Sequence, residues 1–271
     1  MDKVRRNERM AAMINVLAGR PNKIVTLNSF SELFGTAKST LSEDVNLLQN
    51  VVNTFDLGQV ETVAGAAGGV RYRPTVSPEK ARETILRICG ELSGTARLLP
   101  GGFLYTADIL SDPETVSQMG EIIATAYFDA EPDFVLTMET GGIPVAFATA
   151  KALGTQLVIA KRSSQAYEGS AVNISYVSGN GGIETMSLSR RAVRENQRAL
   201  IVDDFLKGGG TARGMIGLMR EFNVEVAGMA FVIATKMPEK KQIFGEKALM
   251  TLEITAGEPQ EAIVRPADWL G

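Results

Sequence analysis

The chain has 271 residues, enough for two domains, and its 45% hydrophobic content is ample for packed cores. It carries one cysteine and no histidine, which removes internal disulfides and all histidine-based base, nucleophile and metal chemistry. No run of about 18 apolar residues occurs, and Met1 to Arg9 is polar and charged, so a soluble cytoplasmic protein without membrane contact is expected.

Net charge is −3, unevenly spread: residues 1–75 hold nine Lys and Arg against seven Asp and Glu, while the remainder holds nineteen against twenty-four. Where the basic residues fall matters more than this modest contrast. Cys89 lies in a helical run and reads as a small buried hydrophobe.

The first element is a helix over Arg5 to Leu17, with Met10, Met13, Ile14 and Leu17 on one stripe and Gly19-Arg20-Pro21 ending it. After Ile24-Val25-Thr26-Leu27, a short second helix is predicted over Ser29 to Phe34, with Ser29 as N-cap and Glu32 at capping-box spacing. Gly35 stops it. A third helix follows from Lys38 to Phe55, with Leu41, Val45, Leu48, Val51 and Val52 facing the core. The alternating segments Gln59 to Val63 and Val70 to Pro74 flank the glycine-rich tip Ala64 to Gly69 and predict a hairpin. Helix, helix-turn-helix and hairpin form the order of a winged helix-turn-helix domain, here residues 1–74.

In that architecture the third helix enters the DNA major groove by its N-terminal end. Here that end offers Lys38, Ser39, Thr40 and Ser42, short hydroxyl side chains and one cation that reach phosphates and base edges. Arg71 and Arg73 on the return strand suit a wing on the phosphate backbone, and Arg5 and Arg6 open the first helix. A double-stranded DNA operator is the expected partner. Winged helices also serve as protein–protein modules, and Glu43-Asp44 is unwelcome deep in a groove.

Pro74 to Pro78 reads as a linker, and residues 75–271 alternate helices and strands. Helices are predicted over Glu79 to Leu92, Glu114 to Phe128 and Ile143 to Leu153. Strands are predicted over Phe134 to Met138, Gln156 to Lys161, Val172 to Val177, Ile183 to Leu188, Ala199 to Val202 and Val226 to Ala234, with a helix from Ala212 to Phe222 before the last. This alternation implies an α/β fold with a mainly parallel sheet, helices on both faces, and ligands outside the carboxyl edge.

At that edge stands Ile201-Val202-Asp203-Asp204-Phe205-Leu206-Lys207-Gly208-Gly209-Gly210-Thr211. The glycines free backbone N–H groups at a helix N-terminus, where Thr211 and the dipole favour a phosphate. Asp203 and Asp204 are placed to accept hydrogen bonds from neighbouring hydroxyls, as on a ribose. The segment lacks the Gly-Lys-Ser/Thr ending of a Walker loop and the spacing of a GxGxxG fingerprint. It resembles the signature of type I phosphoribosyltransferases. That resemblance implies that the acid pair holds the ribose hydroxyls of phosphoribosyl pyrophosphate (PRPP), and that the loop, Phe205 and Lys207 to Thr211, holds its 5′-phosphate.

A second cradle, Glu139-Thr140-Gly141-Gly142, closes the strand Phe134 to Met138 and opens a helix. It resembles the family's pyrophosphate loop, with Lys161 and Arg162 supplying cations, although a solvated pair ending a strand fits the same residues. The segment Ser163 to Gly182, turning at Gly179-Asn180-Gly181-Gly182, takes the place of the family's mobile hood, and an idle surface hairpin fits it equally.

Over nearly the whole chain the order of domains resembles the purine operon regulators of Gram-positive bacteria, a winged helix fused to a domain similar to xanthine phosphoribosyltransferase. The segments that carry the likeness are Leu41 to Asp44, Pro100 to Tyr105, Tyr176 to Gly179 and Ile201 to Thr211. The resemblance implies a homodimer with PRPP as effector, Mg²⁺ accompanying it, no resident metal site, and Tyr105 among the ligand contacts. Ser111 stands where the related enzymes read the purine with Asn, so a regulator without transferase activity is expected. The alternative is an active purine phosphoribosyltransferase with an accessory nucleic-acid-binding module.

Overall fold

The computed structural model describes residues 4–65, 68–163, 169–178, 181–239 and 241–270. It divides into two compact units, Met1–Ser77 with Lys151–Gly154, and Pro78–Ala150 with Thr155–Gly271.

In the N-terminal unit, α1 (Arg6–Ala18), α2 (Leu27–Phe34) and α3 (Lys38–Thr54) precede the antiparallel hairpin β1 (Gln59–Val63) and β2 (Gly69–Arg73). The tip residues Ala66 and Ala67 lie outside the described residues. α2 begins earlier than expected, because the Thr26 hydroxyl, not Ser29, accepts from the N-terminal turn: Ser29 N donates to Thr26 Oγ1 at 3.1 Å. Glu32 then falls outside capping-box spacing. Val25 exchanges two backbone hydrogen bonds with Val70, at 2.8 and 2.9 Å, and so ties the segment before α2 to the wing.

The core gathers Met13, Leu17, Phe30, Phe34, Leu41, Val45, Leu48, Val52, Val60 and Val70. Val51, expected on the inner face of α3, is instead 42% exposed. The inner surface of α3 also carries a charge, because Asp44 is fully buried. Arg9, itself buried, donates Nε to Asp44 Oδ2 at 2.7 Å, so the carboxylate is paired inside the unit. Arg6 Nε approaches the other oxygen at 3.0 Å from a half-exposed position, without hydrogen-bond alignment. The pair clamps α1 to α3.

The second unit opens with α4 (Pro78–Leu92), the two-residue strands β3 (Leu98–Leu99) and β4 (Phe103–Leu104), α5 (Ala107–Ser111) and α6 (Pro113–Tyr127). Then come β5 (Phe134–Met138), α7 (Ile143–Leu153), β6 (Gln156–Ala160), the hairpin β7 (Ala171–Val177) and β8 (Ile183–Ser189), and β9 (Arg198–Leu206). The chain ends with α8 (Gly210–Glu221), β10 (Glu225–Thr235), β11 (Lys247–Ile254) and β12 (Ala262–Pro266). The main sheet has the order β12-β11-β10-β9-β5-β6, with all neighbours parallel except β11 and β12.

β5 is buried at every position, as a parallel strand covered on both faces must be. Alternate residues serve different layers. Ala199 and Ile201 of β9 join Met215, Leu218 and Met219 of α8 and Met186 of β8 in one core cluster. Leu200, between them in sequence, and Val202, just after them, are also buried. Cys89 is buried within α4, and desolvation pushes its thiol up to about 11, the behaviour of a small hydrophobe.

The clamp between α1 and α3 generates a test. Arg9→Ala leaves Asp44 buried without its aligned partner and should cost about 3–5 kcal/mol. Arg6→Ala, at a side chain 53% exposed, should cost less than about 1 kcal/mol. Urea unfolding of both variants checks the ordering, and equal losses would contradict it.

Candidate effector site and DNA-binding unit

β9 is longer than expected. Its pairing with β5 stops at Leu136 and Ile201, while its pairing with β10 continues through Asp203 and Phe231 to Leu206 and Ala234. Asp203 and Asp204 therefore lie inside the strand rather than beyond it. They lie past the last β5–β9 pair, beside the chain that leaves β5 as Glu139–Gly142.

The acid pair packs directly against that turn. A Cβ on Gly142 would overlap Asp203 Oδ1 and crowd Thr137 Oγ1, and a Cβ on Gly141 would overlap Asp204 Oδ2. The two glycines, expected to free amides for an anion, are required first because carboxylates occupy the space of their side chains. Asp203 is buried, and its Oδ1 accepts from Asp204 N at 3.1 Å and from Thr137 Oγ1 at 3.5 Å. Burial, and then the charge of Asp204, hold the Asp203 carboxyl well above the usual carboxylate range. Asp204 is the half-buried partner and faces the cavities.

The glycine loop uses each residue differently. Gly208 has open space where a side chain would be, Gly209 caps α8 at φ 85°, and a Cβ on Gly210 would overlap the carbonyl oxygen of Val177. Thr211 follows, half-buried, in the first turn of α8. Asp203 to Thr211 line one side of a cavity of about 610 Å³. Sequence reading missed its other walls: Gly101, Gly102, Phe103 and Leu104 at the β3–β4 turn, and Leu252 to Ile254 of β11. The glycine pair between Leu98-Leu99 and Phe103-Leu104, at φ 88° and 74°, was a readable hairpin signal.

A second groove of about 380 Å³ shares Asp204 and brings together Tyr105, Thr140 and Gly141. Leu110 rather than Ser111 lines it; the Ser111 hydroxyl donates to Asp108 O at 3.1 Å. Glu139 turns to the next strand, where it accepts from Arg162 N at 2.5 Å. Lys161 lies between Ala160 and Arg162, whose backbones both hydrogen-bond Glu139. Its backbone extends the line of β6 into a bridge with Ser187, and it borders a separate cleft with Gln156 to Ile159. Of the hood, residues 164–168 and the turn residues Gly179 and Asn180 lie outside the described residues. Among the described residues there is no cluster of three or more potential metal ligands.

In the N-terminal unit, Lys38, Ser39 and Ser42 are exposed and Thr40 is half-buried at the start of α3; the Ser42 hydroxyl donates to Lys38 O at 3.0 Å. Burial of Asp44 removes one of the two carboxylates that would oppose DNA, and Arg6 pairs with the other, Glu43, at 3.2 Å. Arg5 is exposed, its backbone N donating to Glu8 at 2.8 Å. The wing arginines, expected open to phosphate, are already engaged. Glu61 stands opposite Arg71 in the hairpin register and accepts from it at 2.6 Å and from Arg73 at 3.4 Å. Arg73 also donates to Asn22 Oδ1 at 3.0 Å.

A winged-helix unit and a phosphoribosyltransferase-fold unit on one chain define a DNA-binding regulator. Residues 5–74 match the family described as the bacterial purine repressor N-terminal domain, and residues 106–265 match the phosphoribosyl transferase domain. The chain is similar to the probable purine biosynthesis transcriptional regulator PurR of Streptococcus pneumoniae, at 42% identity over 92% of this chain and 91% of that one. It is also similar to the PurR repressor of Bacillus subtilis, at 38% identity over 92% and 88%, and to the PurR activator of Lactococcus lactis, at 37% over 92% and 93%. Adenine phosphoribosyltransferase from Thermoanaerobacter pseudethanolicus shares the fold at TM-score 0.52 and 20% identity, over 60% of this chain and 99% of that one. The chain belongs to the PurR family of purine biosynthesis transcriptional regulators. Among the described residues no helix is long and apolar enough to cross a membrane.

Two outcomes follow from the packing of the acid pair. Gly142→Ala forces a methyl group into Asp203 and Thr137 and should destabilise the second unit by about 1–3 kcal/mol, read by thermal unfolding. Asp203→Asn should do the reverse at neutral pH. A carboxyl whose folded pKa is raised makes the native state bind more protons than the unfolded chain, so stability falls as pH rises from the ordinary carboxylate range toward the raised value. The amide removes that slope. The variant should melt several degrees above the parent at pH 7, with the difference shrinking toward pH 4, and a lower melting temperature at pH 7 would refute the assignment.

Proposed function

We propose that this regulator senses PRPP through the cavity at the β9–α8 loop, without turning it over, and binds its operator as a homodimer. The observation that carries the reading is the juxtaposition, in one cavity, of the Asp203–Asp204 pair with the loop Gly208 to Thr211. Asp204 accepts the ribose hydroxyls while Asp203, neutral or charged, fixes it in place. The amides at the start of α8, Thr211 and the helix dipole receive the 5′-phosphate. Thr140 and Gly141, reached through the groove that shares Asp204, lie on the side where the diphosphate leaves the ribose. A Mg²⁺ ion would enter with the diphosphate and lean on the carboxylate pair, a donor set that suits a hard cation.

On the DNA side, Lys38, Ser39, Thr40 and Ser42 read the major groove. Arg5 and Arg6 with the wing arginines meet phosphates, the latter by exchanging Glu61 for DNA. Whether an operator complex represses or activates depends on where the operator lies; the relatives named above include one of each.

One observation favours the alternative of an active transferase: the cavity continues past the acid pair to the apolar walls Phe103, Leu252 and Ile254, where a flat base would fit. The regulator reading is supported by the names of the relatives and by Ser111, whose hydroxyl is spent on its own helix.

Calorimetric titration with PRPP tests the sensor. Asp204→Ala should weaken binding by about 1–3 kcal/mol, the loss expected of a charge-assisted contact; unchanged affinity would remove the acid pair from the site. Incubation with PRPP, Mg²⁺ and guanine, xanthine, hypoxanthine or adenine should release no nucleotide, and steady turnover would favour the enzyme. Lys38→Ala should weaken operator binding and flatten its salt dependence by about one unit of slope, with PRPP affinity unmoved.

A further inference from the structure

The glycine loop before α8 is held from outside by the chain between β10 and β11. Leaving β10, that chain folds back on itself. The Lys241 ammonium donates to Thr235 O at 2.5 Å and to Pro238 O at 2.9 Å, and the Thr235 hydroxyl donates to Met237 O at 2.6 Å. The next two residues then press on the glycines. Gln242 donates its backbone N–H to Gly208 O at 3.0 Å, and a Cβ on Gly209 would lie 3.3 Å from Gln242 N and 3.4 Å from Ile243 Cγ1. Ile243 is 4% exposed and belongs to the core cluster that also holds Ala212, Phe231 and Ala248. Gly208 to Thr211 line the cavity and Gln242 and Ile243 do not, so these two back the loop on the side away from it.

Peptide geometry turns this support into a direction. Across a planar trans peptide such as Gly208–Gly209, the carbonyl of the first residue and the N–H of the second point opposite ways. The Gly208 carbonyl points at Gln242, away from the cavity, so the Gly209 N–H points toward it. Gly209 O accepts from Arg213 N at 2.8 Å at the start of α8, and the same rule turns the Gly210 N–H out of the helix end. With Thr211 in the first turn, these successive amides form a concavity that suits an anion. Nothing local fixes the first of them. Gly208 has open space at its side-chain position and Gly209 sits at φ 85°, so the plane between the two glycines is free to turn over. Turned over, it presents a carbonyl oxygen, which repels a phosphate.

We propose that Gln242 and Ile243 are positioning residues of the phosphate cradle: Ile243, anchored in the core, holds the Gln242 amide on Gly208 O, and that hydrogen bond keeps the Gly209 N–H aimed at the ligand. This rests on the reading of Gly208 to Thr211 as the cradle. The chain between β10 and β11 thereby sets phosphate affinity without touching the phosphate, because the donor is oriented before the ligand arrives. Among the described residues no hydrogen bond joins Gln242 or Ile243 to the second cradle, Glu139 to Gly142, so the effect is confined to the first.

Calorimetry on the full-length protein with two probes tests the role: ribose 5-phosphate, whose monoester needs the first cradle, and inorganic pyrophosphate, which suits the second. Ile243→Ala removes the anchor and Gln242→Pro removes the N–H. Both should weaken ribose 5-phosphate about three- to tenfold, the effect of losing one oriented hydrogen bond, and leave pyrophosphate unmoved. Phe244→Ala, at a side chain 89% exposed in the same segment, should match the parent. Without ligand, the Gln242 amide should exchange its hydrogen slowly in the parent and about three- to tenfold faster in Ile243→Ala. Ribose 5-phosphate affinity equal to the parent's in either variant overturns the proposal, and so does an equal loss of both probes in Ile243→Ala, which reports general loosening. A Gln242 amide that exchanges in the parent as fast as open chain also overturns it. If the parent does not bind ribose 5-phosphate, the cradle reading fails, and the exchange result alone decides whether Gln242 holds Gly208.

Discussion

Like charges repel, and burial penalises each of them, yet the structure sets Asp203 and Asp204 side by side with the first inside the protein. The rest of the second unit is arranged around that arrangement. The pairing of β5 with β9 ends before the carboxylates, and the chain leaving β5 presents Gly141 and Gly142 because any side chain there would collide with them. β9 runs on with β10 alone to deliver the pair to the mouth of the cavity. An arrangement that lowers stability at neutral pH is the kind retained for a ligand, since hydroxyls and a cation relieve it.

Much of this was legible in the chain itself. β5 and α7 begin and end at the residues their patterns indicated, because an unbroken apolar run and a glycine pair are local signals. The Asp-Asp pair and the glycine triplet identified the loop because few other uses demand that order. What the sequence concealed were relations between distant segments. Nothing near Gly141 announces that Asp204 fills its side-chain space, and nothing near Arg71 announces that Glu61 holds it. The walls supplied by Gly101 to Leu104 and by β11 come from segments more than 100 residues apart in sequence. Local periodicity carries no information about such pairings. The bridge between Lys161 and Ser187 is another such pairing.

In the N-terminal unit the same logic relocates charge. Asp44 looked like a liability on a recognition helix, and it is instead the buried partner of Arg9. The clamp costs desolvation, and what it returns is a defined orientation of α3 on α1. Glu61 gives the wing a comparable restraint, holding Arg71 and Arg73 in register on one strand.

The N-terminal unit thus pairs Asp44 with Arg9 and the wing arginines with Glu61, whereas the second unit sets two carboxylates side by side. The most direct test of the central claim, that the acid-pair cavity governs the winged helix, is operator affinity of the full-length protein measured with and without saturating PRPP at fixed salt. The parent should change its affinity by about five- to 150-fold, the usual range of an allosteric coupling, and Asp204→Ala should not respond. An operator affinity that PRPP leaves unchanged in the parent would contradict the account.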